Sequence, residues 1–239
     1  MIEKVYIVPI QKKCNCNCKF CISKVRDYQH TPSTMRVNEK FFKQLDTLRE
    51  LEIKKVEITG GGEPTLNNNI QSIIDNTRAY LPGCYIKLYT NGRLQIPINN
   101  IDEINISMAD IDDDNNKKIM QYKDAKKTID VIAFYRQYAP KLRLSLPIIS
   151  GAIDNEGKML HLIDETKKYI DEYVVRTLYE GTNNMASMYA DFVTDDPRVI
   201  MEKDNCLCEF KNRLIMWSDN NLYNNWDLNE QYSLVKKRR

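Results

Sequence analysis

The sequence predicts an α/β fold: a partial (β/α)6 TIM-like barrel with a short C-terminal extension that contains a β-hairpin. Three observations predict it. Short β-type runs alternate with longer helical ones six times between residues 4 and 178, which implies a parallel sheet covered by helices. Right-handed crossovers curl such a sheet into a barrel or part of one. The periodicity then stops after Tyr179, and a turn signal, Asp219-Asn220-Asn221, separates two apolar runs further on. The barrel is therefore expected over residues 1–180. Residues 181–239 have too small a core to stand alone and are expected to pack on it.

Residues 4–9 open the series as a strand, with Val5, Ile7 and Pro9 on one side. A helix is expected over 39–51, because Asn38 can cap it and Phe41, Leu45 and Leu48 recur at helical spacing. Residues 55–59 read as the second strand, followed by Gly60-Gly61-Gly62. The next helix holds Ile70, Ile73, Ile74 and Thr77 and ends at Pro82-Gly83. Residues 84–90 form a third strand, broken at Asn91-Gly92, and 103–108 a fourth. One long helix is expected over 115–138, stopping before Pro140, with Ile129, Ile132 and Ala133 inward. Residues 142–149 make a fifth strand, Met159, Ile163, Thr166 and Ile170 mark a helix, and 173–178 a β-branched sixth strand.

The 239 residues carry 28% charged and 42% hydrophobic side chains with a formal net charge of +2. That balance gives no overall field for nucleic acid or a membrane surface. No stretch approaches the roughly 20 apolar residues of a membrane span, and the N-terminal apolar run is too short for a secretory signal. The expectation is a cytoplasmic protein. Of seven cysteines, four lie between positions 14 and 21, where ligands or free thiols are expected rather than disulfides.

Cys14, Cys18 and Cys21 stand in a C-x3-C-x2-C run, with Phe20 directly before the last. Three thiolates this close can hold three corners of a cubane iron–sulfur cluster and leave one iron open to a small molecule. The loop follows the first strand, on the face where parallel βα folds build their sites. After the second strand, Thr59 to Leu66 reads Thr-Gly-Gly-Gly-Glu-Pro-Thr-Leu. Glycines there would let a ligand approach bare backbone, and Glu63 would offer a carboxylate suited to an ammonium group.

Cys14, Cys18, Phe20 and Cys21, together with Gly61-Gly62-Glu63-Pro64, resemble the radical S-adenosylmethionine (radical SAM) superfamily, and the six βα units over residues 4–178 fit it. The resemblance implies a [4Fe-4S] cluster on Cys14, Cys18 and Cys21, with the open iron chelated by the amino and carboxylate groups of S-adenosylmethionine. It implies that Glu63 helps to hold the amino group and that Phe20 lies by the adenine. Further contacts would come from Gly61, Gly62, Thr90 and Asn91 on the third strand's end, Ser107 on the fourth and Arg176 on the sixth. The implied reaction is reductive cleavage to methionine and a 5′-deoxyadenosyl radical, which removes hydrogen from a small-molecule, nucleotide or peptide substrate. A reductase, or a flavodoxin- or ferredoxin-type protein, would supply the electron.

Two other readings remain at this level: an activase of a glycyl-radical enzyme, and a non-catalytic iron–sulfur or zinc module, for which Cys206 and Cys208 offer a second pair, though these two read more simply as free or substrate-facing thiols than as ligands of a further cluster. Cys16 reads as a solvent-facing thiol and Cys84 as a small core hydrophobe. His30 lies near the cysteines, while His161 reads as a helix surface or packing residue. Trp217, Tyr223 and Trp226 fit packing within the hairpin. The run Asp110–Asp114 suits a helix N-terminus, with Asp110 on the active face.

Overall fold

The computed structural model describes residues 2–25, 33–176, 195–202, 212–226, 228 and 230–232. The elements run β1 (Lys4–Ile7), α1 (Ile22–Val25), α2 (Glu39–Glu50), β2 (Lys55–Ile58), α3 (Ile70–Tyr80), β3 (Tyr85–Thr90) and β4 (Glu103–Ser107). Then follow α4 (Asp113–Met120), α5 (Thr128–Arg136), β5 (Lys141–Pro147), α6 (Glu156–Thr166), β6 (Glu172–Arg176), β7 (Val199–Glu202), β8 (Arg213–Met216) and β9 (Leu222–Tyr223). Side-chain caps start the helices where the sequence offers them. Asn38 accepts from the Phe41 amide at 3.1 Å, Asp112 from Asn115 at 2.8 Å and Asn155 from Lys158 at 3.1 Å.

Among the described residues the strands form one nine-stranded sheet in the order β7-β6-β5-β4-β3-β2-β1-β8-β9. β1 to β6 are parallel neighbours in chain order, the arrangement of a partial barrel. The C-terminal region enters this sheet at both edges. β7 pairs in parallel with β6, and β8 pairs in parallel with β1, setting Lys4 opposite Arg213. β7 is four residues, Val-Ile-Met-Glu, too short to show a period; its place is fixed by pairing with β6. β8 and β9 then form the antiparallel hairpin that the turn signal predicts, with Asn220 in the left-handed region.

One face of the sheet packs on the helices. Ile7, Ile58, Leu88, Ile106 and Leu144 share a core with Phe41, Leu45, Ile73, Ile132 and Met159. The other, concave face differs from the branched apolar layers that fill a closed barrel. It carries an ion-pair ladder from strand to strand. Lys4 and Lys55 meet Glu57 at 3.2 and 2.9 Å, Lys87 meets Glu103 at 2.7 Å, and Arg143 meets Glu103 and Glu172 at 3.1 and 2.9 Å. Near β1 and β8 the same face is apolar. Trp226 packs on Tyr6 and Trp217, with ring centroids 5.4 and 6.2 Å apart.

Burial pushes the Glu57 carboxyl up, but the ammonium groups of Lys55, Lys4 and Lys87 outweigh it and hold the group at about 2 instead of its ordinary 4.5. A carboxyl depressed in the folded state stabilises the fold above its unfolded pKa and loses that contribution as pH falls through the folded one. Glu57→Gln is therefore expected to destabilise the protein at pH 7 by roughly 2–3 kcal/mol. The deficit should shrink toward zero as pH drops from about 4.5 to about 2, which urea unfolding across that range measures.

The single long helix expected over 115–138 is two helices, α4 and α5. Gln121 ends α4 with φ +53°, and the break is pinned from outside. The buried Arg93 guanidinium lies 3.9 Å over the Tyr122 ring, binds Asp124 and bonds the Lys126 carbonyl. The Lys126 ammonium returns a bond to the Arg93 carbonyl at 2.6 Å, and Asp113 accepts from the Thr128 amide at 2.6 Å. Helical spacing continues through the break, so only these long-range contacts reveal it. No helix among the described residues is long and apolar enough to cross a membrane.

Candidate cofactor site

The cysteine loop leaves β1 and is at once zipped to the Gly-Gly-Glu loop that leaves β2. Gln11 bridges to Gly61, the Lys12 amide donates to the Gly61 carbonyl at 3.1 Å, and the Glu63 amide donates to the Lys13 carbonyl at 2.9 Å. The glycines are needed for this approach. A Cβ on Gly62 would lie 2.2 Å from the Lys13 carbonyl oxygen, whereas one on Gly61 would make an ordinary 3.4 Å contact with Gln11. At Gly62, then, the backbone that comes close is the chain's own.

Glu63 is buried beneath this zipper and caps the short 3-10 turn Pro64–Leu66. Its Oε1 accepts from the Thr65 amide at 3.1 Å, the Thr65 hydroxyl at 2.7 Å and the Thr90 hydroxyl at 2.6 Å. Its Oε2 accepts from the Asn91 amide at 2.8 Å. Burial pushes the carboxyl up, against the pull of those four donors. The sequence reading named Thr90 but missed Thr65; a glutamate two residues ahead of a threonine across a proline is the local capping signal that could have found it.

Asn91 links this buried carboxylate to the cysteines. Its Nδ2 donates to Asn15 Oδ1 at 2.7 Å and reaches Cys14 Sγ at 3.7 Å. Cys16 is not simply solvent-facing: it is half-buried, its amide donates to Cys14 Sγ at 3.4 Å, and its thiol interacts with those of Cys14 and Cys18. That bonding holds the Cys14 thiol down to about 7 and lowers Cys18, while burial pushes Cys21 up. Cys18 and Phe20 pack with Ala109, Met120, Tyr122, Ile149 and Ala152.

The break between α4 and α5 receives the loop. The Asn17 amide donates to the Met120 carbonyl at 3.0 Å, Asn17 Nδ2 to Gln121 Oε1 at 2.9 Å, and Cys18 Sγ lies 3.6 Å from the Met120 carbonyl. An open pocket of about 510 Å³ lies here, lined by Cys14, Cys16, Arg93, Leu94, Gln121 and Lys126 among others. Arg93, Met120 and Gln121 were not foreseen, because their role depends on the unforeseen break.

Hydrogen bonds and packing thus bring together Cys14, Cys18, Phe20, Gly61, Gly62, Glu63 and Asn91. Ser107 stands at the C-terminal end of β4, and Arg176 at the end of β6 with its guanidinium 5.9 Å over the Tyr89 ring. Asp110 is turned inward onto its own loop, accepting from Asn115 Nδ2 at 2.5 Å. His161 is exposed on α6, and Cys84 is buried in the core. His30, Cys206 and Cys208 lie outside the described residues.

Among the described residues no three His, Cys, Asp or Glu side chains converge on one point as ligands of a single metal ion. The donor set suits a cluster, in which each thiolate would take a different iron, so the sulfurs need not converge on one point.

A family model described as the Radical SAM superfamily matches residues 8–164. The chain is 25% identical over 167 residues to a GTP 3′,8-cyclase of Lactiplantibacillus plantarum, covering 67% of this chain and 49% of that protein. It is 24% identical over 176 residues to a UPF0026 protein of Helicobacter pylori, covering 69% and 57%. Its fold matches Streptococcus suis SuiB bound to the precursor peptide SuiA with a TM-score of 0.67 at 14% identity, over 94% of this chain and 59% of that one. The chain thus spans about half the length of the curated relatives that it matches.

Proposed function

The chain belongs to the radical SAM superfamily, and from that premise we propose that it is an enzyme holding a [4Fe-4S] cluster on Cys14, Cys18 and Cys21 and binding S-adenosylmethionine at the C-terminal strand ends. One observation carries the reading: Asn91 ties the cysteine loop to the buried Glu63 carboxylate, so the two motifs form one unit. When bound, these groups would supply reductive cleavage to methionine and a 5′-deoxyadenosyl radical, which takes hydrogen from the substrate.

The chain's own residues supply binding and dryness. Oε1 of Glu63 is spent on three donors; Oε2 meets one and keeps acceptor capacity for a ligand ammonium group. Phe20, with Tyr122 and Ile149, forms an apolar wall beside Cys18, while Cys14 faces the open pocket. Ser107 and Arg176 offer a hydroxyl and a cation at the strand ends for the ribose and carboxylate. The substrate would be a small molecule, nucleotide or peptide on the concave face, a range that the nucleotide-cyclising relatives and the peptide-bound neighbour support. A reductase, flavodoxin or ferredoxin would deliver the electron.

The test is anaerobic reconstitution with iron and sulfide, then dithionite and S-adenosylmethionine. The expected product is 5′-deoxyadenosine in amounts that scale with bound iron. A protein that takes up iron and sulfide in full yet forms none would be a binding module instead.

A further inference from the structure

Two residues before Ser107, deeper on the concave face, stands Asn105 of β4. Its side chain is fully buried, at 0% exposure. Neither its Oδ1 nor its Nδ2 has a hydrogen-bond partner among the described residues. Register sets Tyr89 of β3 on one side of it and Arg143 of β5 on the other. The charges around it are matched, Lys87 with Glu103 and Arg143 with both Glu103 and Glu172. A sealed amide with both of its polar atoms unmet is costly, and such groups persist where something else comes to meet them.

Burial falls along this face toward the strand ends, from complete at Asn105 to partial at Ser107 and Arg176. A rise of about 3.3 Å per residue puts Asn105 roughly 6–7 Å below Ser107, the depth of one small ring or one peptide unit.

We propose that Asn105 is the group by which the concave face recognises its substrate, and that the substrate presents an uncharged amide edge, a carbonyl oxygen beside an N–H. The inference rests on the radical SAM reading. A carboxylate or phosphate would have to take Lys87 or Arg143 from its present partner. An asparagine instead carries one acceptor and one donor side by side, the complement of another amide or of a nucleobase edge. Peptide and nucleobase share that chemistry.

The experiment titrates reconstituted protein, with S-adenosylmethionine present, with N-acetylglycinamide in one arm and cytidine in the other, followed by saturation-transfer NMR. Wild type is expected to bind one of the two, and which one tells the source of the edge. Asn105→Leu should weaken that binding at least roughly tenfold while melting no lower than the parent, since it removes two unmet polar atoms. Asn105→Ser, smaller than the parent, gives the same readout where leucine overfills the site. Unchanged binding in a folded variant, or no binding of either probe to wild type, overturns the proposal. Formation of 5′-deoxyadenosine by wild type is scored separately, so failure of the radical SAM reading and failure of amide recognition are told apart.

Discussion

Cys21→Ala is expected to leave a folded protein that retains no iron–sulfur cluster and forms no 5′-deoxyadenosine above the reagent blank. The loss should be on the order of 1,000-fold or more, about 4 kcal/mol of transition-state stabilisation. Cys18→Ala should be milder. The Cys16 thiol interacts with those of both Cys14 and Cys18, so it would stand next to a vacated ligand position at 18 and could partly fill it. Cys21, by contrast, is five residues further along the chain than Cys16. Adding Cys16→Ser to Cys18→Ala should then bring iron retention down to the level of Cys21→Ala. Iron and sulfide per chain, with a thermal melt as the folding control, decide the matter. Full iron in Cys21→Ala would remove the ligand assignment; equal iron in Cys18→Ala and the double variant would remove the rescue.

Gly62→Ala should damage the site far more than Gly61→Ala, although the two glycines are adjacent. Its new methyl meets the Lys13 carbonyl at 2.2 Å, a backbone atom that also accepts the Glu63 amide. The cysteine loop and the Glu63 loop must therefore part. Overpacking of this kind costs about 1–3 kcal/mol or more, and the separation should also lower cluster retention. At Gly61 the nearest atom is the Gln11 Cγ at 3.4 Å, part of a side chain that can give way. Melting temperatures and iron content of the two variants, side by side, test this. Equal losses would mean that the zipper between the loops is not what holds the cysteines.

Much of the fold was legible because local signals agree with it: Asn38 caps α2 where expected, and β1 to β6 lie within a few residues of their apolar runs. What was not legible depends on distant partners. The break between α4 and α5 has a continuous helical pattern across it, and Arg93, from a different loop, fixes it. β8 joins the sheet through β1, a strand at the other end of the chain, and β7 is too short to show a period of its own. At the site, spacing alone pointed to Cys14, Cys18 and Cys21, and the Glu63 loop followed from its composition. The bonds that tie them together, through Asn91, Thr65 and Thr90, are set by where strands end, which no local pattern records.

The pairing of β1 with β8 also bears on how the chain is made. Synthesis runs from the N-terminus, so β1 emerges early and gains β2 soon after, yet its other side stays bare until residues 213–216 have left the ribosome. Throughout that interval the nascent chain displays an unpaired strand rim shortly before its cysteine loop. The rim beside the cysteine loop is thus shut only when residues 213–216 have joined it as the last parallel neighbour.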